Sequence, residues 1–375
     1  MKKCIICSDS FKGTLSSIEI CDIADKVIHS VFPDCSVISI PVADGGEGTV
    51  DCFLKAIGGK TEEIEVTGPL HEKITARYMR KDNAAVIEMA SAAGLPLTGD
   101  RKNPALTTTF GVGQLIKHAV NSGCKDILLG LGGSATNDGG CGCAAALGTK
   151  FFNSSNEEFI PVGGTLKDIS RIDNSETEKL LKEISITVMC DVDNPLFGQR
   201  GAAYIFAPQK GADEKMVKVL DEGLKHFADI INSDLHINIS DTPGSGAAGG
   251  MGAGCIAFFN AELKSGIEAV LDLTEFNSHL KGTDLVITGE GKLDDQSLHG
   301  KVISGIAQRT KTANIPLIAV VGSIDDSIND LSEIGISSIF ETNRASLPFE
   351  LLKGRAAADY EFTLKQIISL IKISE

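Results

Sequence analysis
The residues best able to do chemistry sit in glycine-punctuated loops that end apolar runs. In Ile127-Leu-Leu-Gly-Leu-Gly-Gly-Ser-Ala-Thr-Asn-Asp-Gly-Gly140 a short apolar run breaks into glycines, then small hydroxyl residues, an amide and a carboxylate. The helix-compatible run Cys143–Leu147 follows. Strand, tight loop and helix start in that order aim backbone N–H groups and the positive end of a helix dipole into one space, which is an anion site. Ser134, Thr136 and Asn137 add side-chain donors, and Asp138 reads as either a metal ligand or an N-cap. The alternative is a strand-to-helix turn that needs glycine only for close packing.

Other polar loops follow the same plan. Ser8-Asp-Ser-Phe-Lys-Gly13 and Ala43-Asp-Gly-Gly-Glu-Gly-Thr49 each end a strand-like segment, where open α/β sheets hold their ligands. Asp9, Lys12, Asp44 and Glu47 then belong to one rim if those strands are neighbours. Cys190-Asp-Val-Asp-Asn-Pro-Leu196 spaces Asp191 and Asp193 so that both point one way if the extended chain persists. Paired hard oxygens suit Mg²⁺, which takes one or two carboxylates and keeps most of its waters; Asp-Asn-Pro is also ordinary turn chemistry. In Thr288-Gly-Glu-Gly-Lys-Leu-Asp-Asp295 the charged residues Glu290, Lys292 and Asp294 alternate, and Gly300-Lys301 opens the next helix. A solvated charged loop is the other reading there. Lys210, in Ala207-Pro-Gln-Lys-Gly211, reads equally well as a surface lysine.

Composition removes several function classes. With 35 basic and 50 acidic residues the net charge is −15, against a nucleic-acid partner, whose phosphates need clustered Lys and Arg. No stretch approaches a membrane span and the apolar run after Met1-Lys-Lys is too short for a signal peptide, so the cytoplasm is expected. The ten cysteines, several inside apolar runs, read as reduced core residues rather than a disulfide framework. Cys4-Ile-Ile-Cys7 has zinc or redox spacing, but strand residues three apart face opposite sides. No Gly-x-x-x-x-Gly-Lys-Ser/Thr occurs. Gly244-Ser-Gly-Ala-Ala-Gly249 and Gly130-Leu-Gly-Gly-Ser-Ala135 match a dinucleotide pattern without its βαβ setting, which argues against a nicotinamide cofactor. The second also looks like the phosphate loop of galactokinase-type kinases, a near miss because that fold lacks the strand arrangement read below.

The elements that must position these loops read as α/β. At 375 residues two domains are expected. Residues 3–8 and 36–42 are strands, each followed by a helix, with Ser16 capping the first. Short alternating strands at 62–66, 74–80 and 84–89 form a meander, followed by a helix at 112–120, strands at 185–190 and 204–207 and an amphipathic helix at 213–232. A βα alternation returns from about residue 283, with strands at 285–288, 315–321 and 336–340 and helices at 301–307 and 356–371. Two strands at the start and three at the end make a five-stranded flavodoxin-like set. The fold expected is therefore a discontinuous parallel-sheet domain, 1–61 and 283–375, carrying an inserted α+β domain, 62–282, with a ligand cleft between them.

Taken together the loops resemble the bacterial glycerate kinase family that does not use a P-loop. The resemblance rests on Asp9–Ser16, Pro41–Thr49, Gly130–Gly140, Cys190–Leu196, Pro208–Ala212 and Gly289–Ser297, in one order along nearly the whole chain. Ser17, Cys143, Ala207 and Ile303 depart from the family pattern, and none removes a charge. The resemblance implies an inserted domain of restriction-endonuclease-like shape. It also implies Mg²⁺- and ATP-dependent phosphorylation of D-glycerate in organic-acid catabolism, to 2-phosphoglycerate rather than the 3-phosphate. Such a reaction needs positioning and charge neutralisation more than covalent help. Lys12, Asp191 and Lys292 are then the catalytic candidates, with Asp191 and Asp193 holding metal. Asp9, Ser10, Asp44, Gly45, Gly46, Glu47, Gly132, Gly133, Ser134, Thr136, Asn137, Lys210 and Glu290 are candidates for binding substrate or phosphate. The expected partners are glycerate and ATP, with no nucleic acid or membrane, and a homodimer is left open. A two-lobed sensor, or a kinase for another hydroxy acid or a sugar, is the competing reading.

Overall fold
A computed structural model describes residues 1–294, 302–326, 328, 334–345 and 347–374. Asp295–Ser297 and Gly300-Lys301, read above as part of a charged loop and a helix start, lie outside the described residues. The described strands, in chain order, are β1 (Lys3–Ser8), β2 (Ser36–Pro41), β3 (Lys60–Thr67), β4 (Lys73–Lys81), β5 (Ala84–Glu88), β6 (Asp126–Gly130), β7 (Lys150–Phe152), β8 (Glu158–Phe159), β9 (Arg171–Asp173), β10 (Ser185–Met189), β11 (Glu262–Lys264), β12 (Leu285–Thr288), β13 (Lys292–Leu293), β14 (Leu317–Val321), β15 (Ser323–Ile324) and β16 (Ser338–Glu341). The chain is mixed α/β with parallel sheets and divides into two compact units.

Unit 1 comprises Met1–Ala43, Asp51–Gly58 and Ser265–Glu375. Its sheet has the order β16-β14-β12-β1-β2, every pair parallel. A parallel sheet covered on both faces needs apolar residues on both, and β12 and β14 are buried throughout. Cys4 and Cys7 are both fully buried in β1, as core residues on opposite faces should be. The helix Ser17–Val31 starts where Ser16 accepts from the Glu19 N–H while the Glu19 carboxylate accepts from Ser16, a reciprocal cap that stabilises by about 1 kcal/mol. Ile20, Cys21, Ala24, Val27 and Ile28 recur at helical spacing and are all buried.

Unit 2 comprises Asp44–Val50 and Gly59–Lys264. Its main sheet has the order β11-β10-β6-β5-β4-β3, in which β11, β10, β6 and β5 are parallel and β3 and β4 complete an antiparallel meander. Helix Phe110–Asn121 lies hard against helix Cys141–Leu147: a Cβ on Gly113 would fall 2.2 Å from the Cys143 carbonyl oxygen, so only glycine fits.

The units differ in their limits from the expected 62–282. Residues 265–282 belong to unit 1 because helices Gly266–Leu273 and Phe276–Leu280 pack beside helix Val302–Ala313, where Arg309 meets Glu268 at 2.5 Å and Asp272 at 2.7 Å. Residues 204–207 are not a strand: Ala202–Phe206 is a helix, with Ala207 N–H donating to the Ala203 carbonyl. Four apolar residues before Pro208 are too few to reveal a period, and burial at 202, 203 and 207 follows a helix rather than strand alternation. Among the described residues no helix is long and apolar enough to cross a membrane.

Candidate functional site
In unit 2 the polar loops gather at the carboxyl ends of β6 and β10. Gly132 N–H donates to the Gly45 carbonyl at 3.0 Å. A Cβ on Gly130 would lie 2.3 Å from that same oxygen, and one on Gly132 would lie 2.5 Å from the Gly46 Cα. The pairs Gly45-Gly46 and Gly130/Gly132 are therefore small because two backbones touch there. Asp44 accepts from Gly46 N–H at 3.0 Å, and both Asp44 and Glu47 are exposed. Glu88, at the end of β5, is buried and accepts from Val50 N–H at 2.6 Å, which ties the end of this loop to the sheet. Sequence reasoning missed Glu88; its one signal was a carboxylate closing an otherwise apolar strand.

The helix start after the glycine loop is not the free anion site that the sequence suggested. The chain fills it with its own carboxylate. Asp138 is fully buried and accepts from Thr109 N–H and hydroxyl at 2.8 Å each, and from Gly140 and Gly142 N–H at 3.2 Å each. Cys143 N–H is taken by the Thr109 hydroxyl. Burial pushes the Asp138 pKa up, and these donors pull against it. Asp138 is thus a cap rather than a metal ligand, and Thr109 is a second residue that the sequence did not single out.

The side chains just before Asp138 are arranged differently. Lys210 is 2 % exposed, not a surface lysine, and donates to Ser134 Oγ and to the Thr136 carbonyl, both at 2.7 Å. Burial pulls its pKa down to about 7, with Asp138 opposing weakly. Thr136 Oγ1, both side-chain polar atoms of Asn137 and Ser245 Oγ are buried with no partner among the described residues. Each such atom costs on the order of 1–3 kcal/mol if left unmatched, so the adjacent pair Thr136 and Asn137 marks a place kept polar for something other than the fold. The backbone of 248–250 is left-handed throughout and passes close to this loop, with Gly139 N–H donating to the Gly249 carbonyl at 3.1 Å. Ser245 was not expected; its glycine-rich surroundings hid it.

Asp191 and Asp193 are exposed and follow the end of β10 at Met189, so the strand alternation expected to align them does not extend that far. Asp193 faces Arg200 at 3.5 Å. No group of three or more His, Cys, Asp or Glu residues is assembled for a metal among the described residues. An ion that keeps its waters needs only one or two such oxygens, and both Asp191 and Asp193 are exposed.

In unit 1 the expected loops meet at the ends of β1 and β12. Asp9 N–H donates to the Gly289 carbonyl at 2.9 Å, and Ser10 N–H to Asp9 Oδ1 at 2.6 Å. A Cβ on Gly291 would approach the Phe11 Cα and the Lys12 nitrogen at 3.2 and 3.3 Å. Lys12 is exposed and Glu290 is buried. Lys292 is exposed and ion-paired with Asp325 at 2.7 Å, which raises its pKa. The structure therefore brings Asp9, Ser10 and Lys12 together with Glu290 in one unit. It brings Asp44–Glu47 together with Gly132 and Gly133 in the other, where Ser134, Thr136 and Lys210 adjoin them.

Comparison with known proteins gives these loops a setting. A profile described as the Glycerate kinase family matches residues 4–372. A glycerate kinase of Bacillus cereus is 46% identical over 375 residues, 99% of this chain and 98% of its own. A glycerate 2-kinase of Escherichia coli is 45% identical over 341 residues, 90% of each chain. A crystal structure from Salmonella typhimurium LT2, provisionally named glycerate kinase 2, superposes with a TM-score of 0.88 at 38% identity, covering 100% of this chain and 99% of that one. With the profile and the relatives each spanning nearly all of it, the chain belongs to the glycerate kinase family.

Proposed function
We propose that this chain is an ATP-dependent glycerate kinase that phosphorylates D-glycerate at the 2-hydroxyl. Family membership supports the kinase chemistry, and the Escherichia coli relative named glycerate 2-kinase supports the position of transfer. The observation that carries the reading is the buried polar loop of unit 2, where Ser134, Thr136 and Asn137 stand beside a buried lysine. Both reactants are anionic, and an acceptor-rich ligand is what such a set of donors suits. On this reading the loop Gly132–Asn137 cradles phosphate or carboxylate oxygens, and Asp44, Glu47 and Glu290 bind or orient the reactants. Lys12 and Lys292 neutralise charge that spreads onto the transferred group. Mg²⁺ bound with ATP would supply positive charge that offsets that of the phosphates. Asp191 and Asp193 would hold it. Asp191 is also our candidate for accepting the substrate hydroxyl proton. For architecture we read unit 1 as flavodoxin-like, supported by its parallel order β2-β1-β12-β14-β16, and unit 2 as the inserted domain.

The test is ADP release by the purified chain over a panel of small hydroxy acids and sugars, with phosphorus NMR of the product. We expect turnover with D-glycerate and a 2-phosphate resonance. Turnover with a sugar in preference to glycerate, or binding without turnover, sinks the reading.

A further inference from the structure
A hydroxyl has one hydrogen to give and two lone pairs. At Ser134, which is 7 % exposed, one lone pair is taken by Lys210 Nζ at 2.7 Å. The hydrogen must then turn away from the ammonium, and it has no acceptor among the described residues. Lys210 also grips the Thr136 carbonyl at 2.7 Å, so one side chain fixes the loop at two points two residues apart. Independently, Thr136 Oγ1 and the Asn137 amide, both residues fully buried, are left without partners in the same loop.

We infer that Lys210 is a positioning residue, which makes the Ser134 hydroxyl an obligatory donor to an anionic oxygen of a bound reactant. This rests on the reading of residues 132–137 as the anion loop. An acceptor-only oxygen satisfies such a fixed donor fully, whereas a neutral hydroxyl must first turn its own hydrogen aside. Two sources offer that oxygen: the triphosphate of the nucleotide and the carboxylate of the hydroxy acid.

A double-mutant cycle tests the inference, with wild type, Ser134→Ala, Lys210→Met and the double variant each titrated separately in ATP and in glycerate. Ser134→Ala is expected to raise KM for one reactant by about 10- to 100-fold, the value of a hydrogen bond to a charged group, and the reactant affected identifies the source. Lys210→Met should raise the same KM, with the double variant no worse than the poorer single one. A merely structural lysine would lower the melting temperature or kcat and leave both KM values alone. That result, losses that multiply, or an effect on the other reactant overturns the positioning role. If Ser134→Ala leaves both KM values unchanged, the anion-loop reading itself has failed, a separate outcome. Thermal melts check folding. Should the methionine variant not fold, Lys210→Gln replaces it in the cycle; it retains N–H donors and should raise the same KM by less than Ser134→Ala does.

Discussion

Lys210 and Ser134 are 76 positions apart in sequence and joined by a 2.7 Å hydrogen bond in which the ammonium donates. The lysine is enclosed without a carboxylate among its hydrogen-bond partners, and its pKa falls from 10.5 to about 7. The unfolded chain therefore binds one more proton than the folded one between about pH 7 and 10.5. The cost of burying the charge is full below that window and fades as pH rises through it. Relative to Lys210→Met, wild type should thus gain stability across the window by up to about 5 kcal/mol. Urea midpoints of the two proteins measured in parallel check this; a difference that stays flat with pH would mean that Lys210 does not lose its proton on folding.

Asn137 separates function from stability. Its amide is fully buried with neither polar atom matched among the described residues. Asn137→Leu, similar in volume and apolar, should raise stability by on the order of 1–2 kcal/mol while lowering kcat/KM by about 100-fold or more. A destabilised but active leucine variant would place Asn137 in the fold rather than in the site.

Gly249 should tolerate nothing larger. A Cβ there would sit 2.0 Å from the Thr136 carbonyl oxygen and 2.7 Å from the Asn137 Cα, at a backbone φ of +70°. Gly249→Ala is expected to cost about 2–4 kcal/mol, from overlap added to left-handed strain. Gly99 has φ +53° with nothing within 4 Å, so Gly99→Ala should cost only about 1 kcal/mol. Equal losses in chemical denaturation would mean that the loop yields to the extra methyl.

What the sequence made legible was local. Apolar runs ending in polar, glycine-containing loops located β1, β2, β6 and β12 to within a residue or two, and for β1, β6 and β12 the cause is that buried parallel strands are apolar on both faces. The Ser16 cap and the helix it opens were equally plain. The expectation that the helix start leaves its N–H groups open to an anion differs from the structure at Gly140 and Gly142, whose N–H groups donate to Asp138 instead. Lys210, Thr109, Glu88 and Ser245 could not be ranked from spacing. Their roles depend on burial against segments 34 to 76 residues away, and the one signal that Lys210 gave, a lysine between prolyl and glycyl turns, is common at surfaces.

Asp191 provides the sharpest test of the metal assignment. It is exposed beyond the end of β10, and exposed carboxylates contribute little to folding, so Asp191→Asn should leave the melting temperature near wild type. If it holds Mg²⁺ on the nucleotide, the variant loses about 100-fold or more in kcat, and the Mg²⁺ concentration for half-maximal rate rises. Asp193 has Arg200 at 3.5 Å, both exposed, and if it shares the ion then Asp193→Asn should raise the Mg²⁺ requirement as well. Rates titrated with Mg²⁺ at saturating ATP compare the three proteins. An Asp191→Asn enzyme with wild-type rate and Mg²⁺ dependence takes the residue out of the reaction, and the same result for Asp193→Asn takes Asp193 out of the metal site.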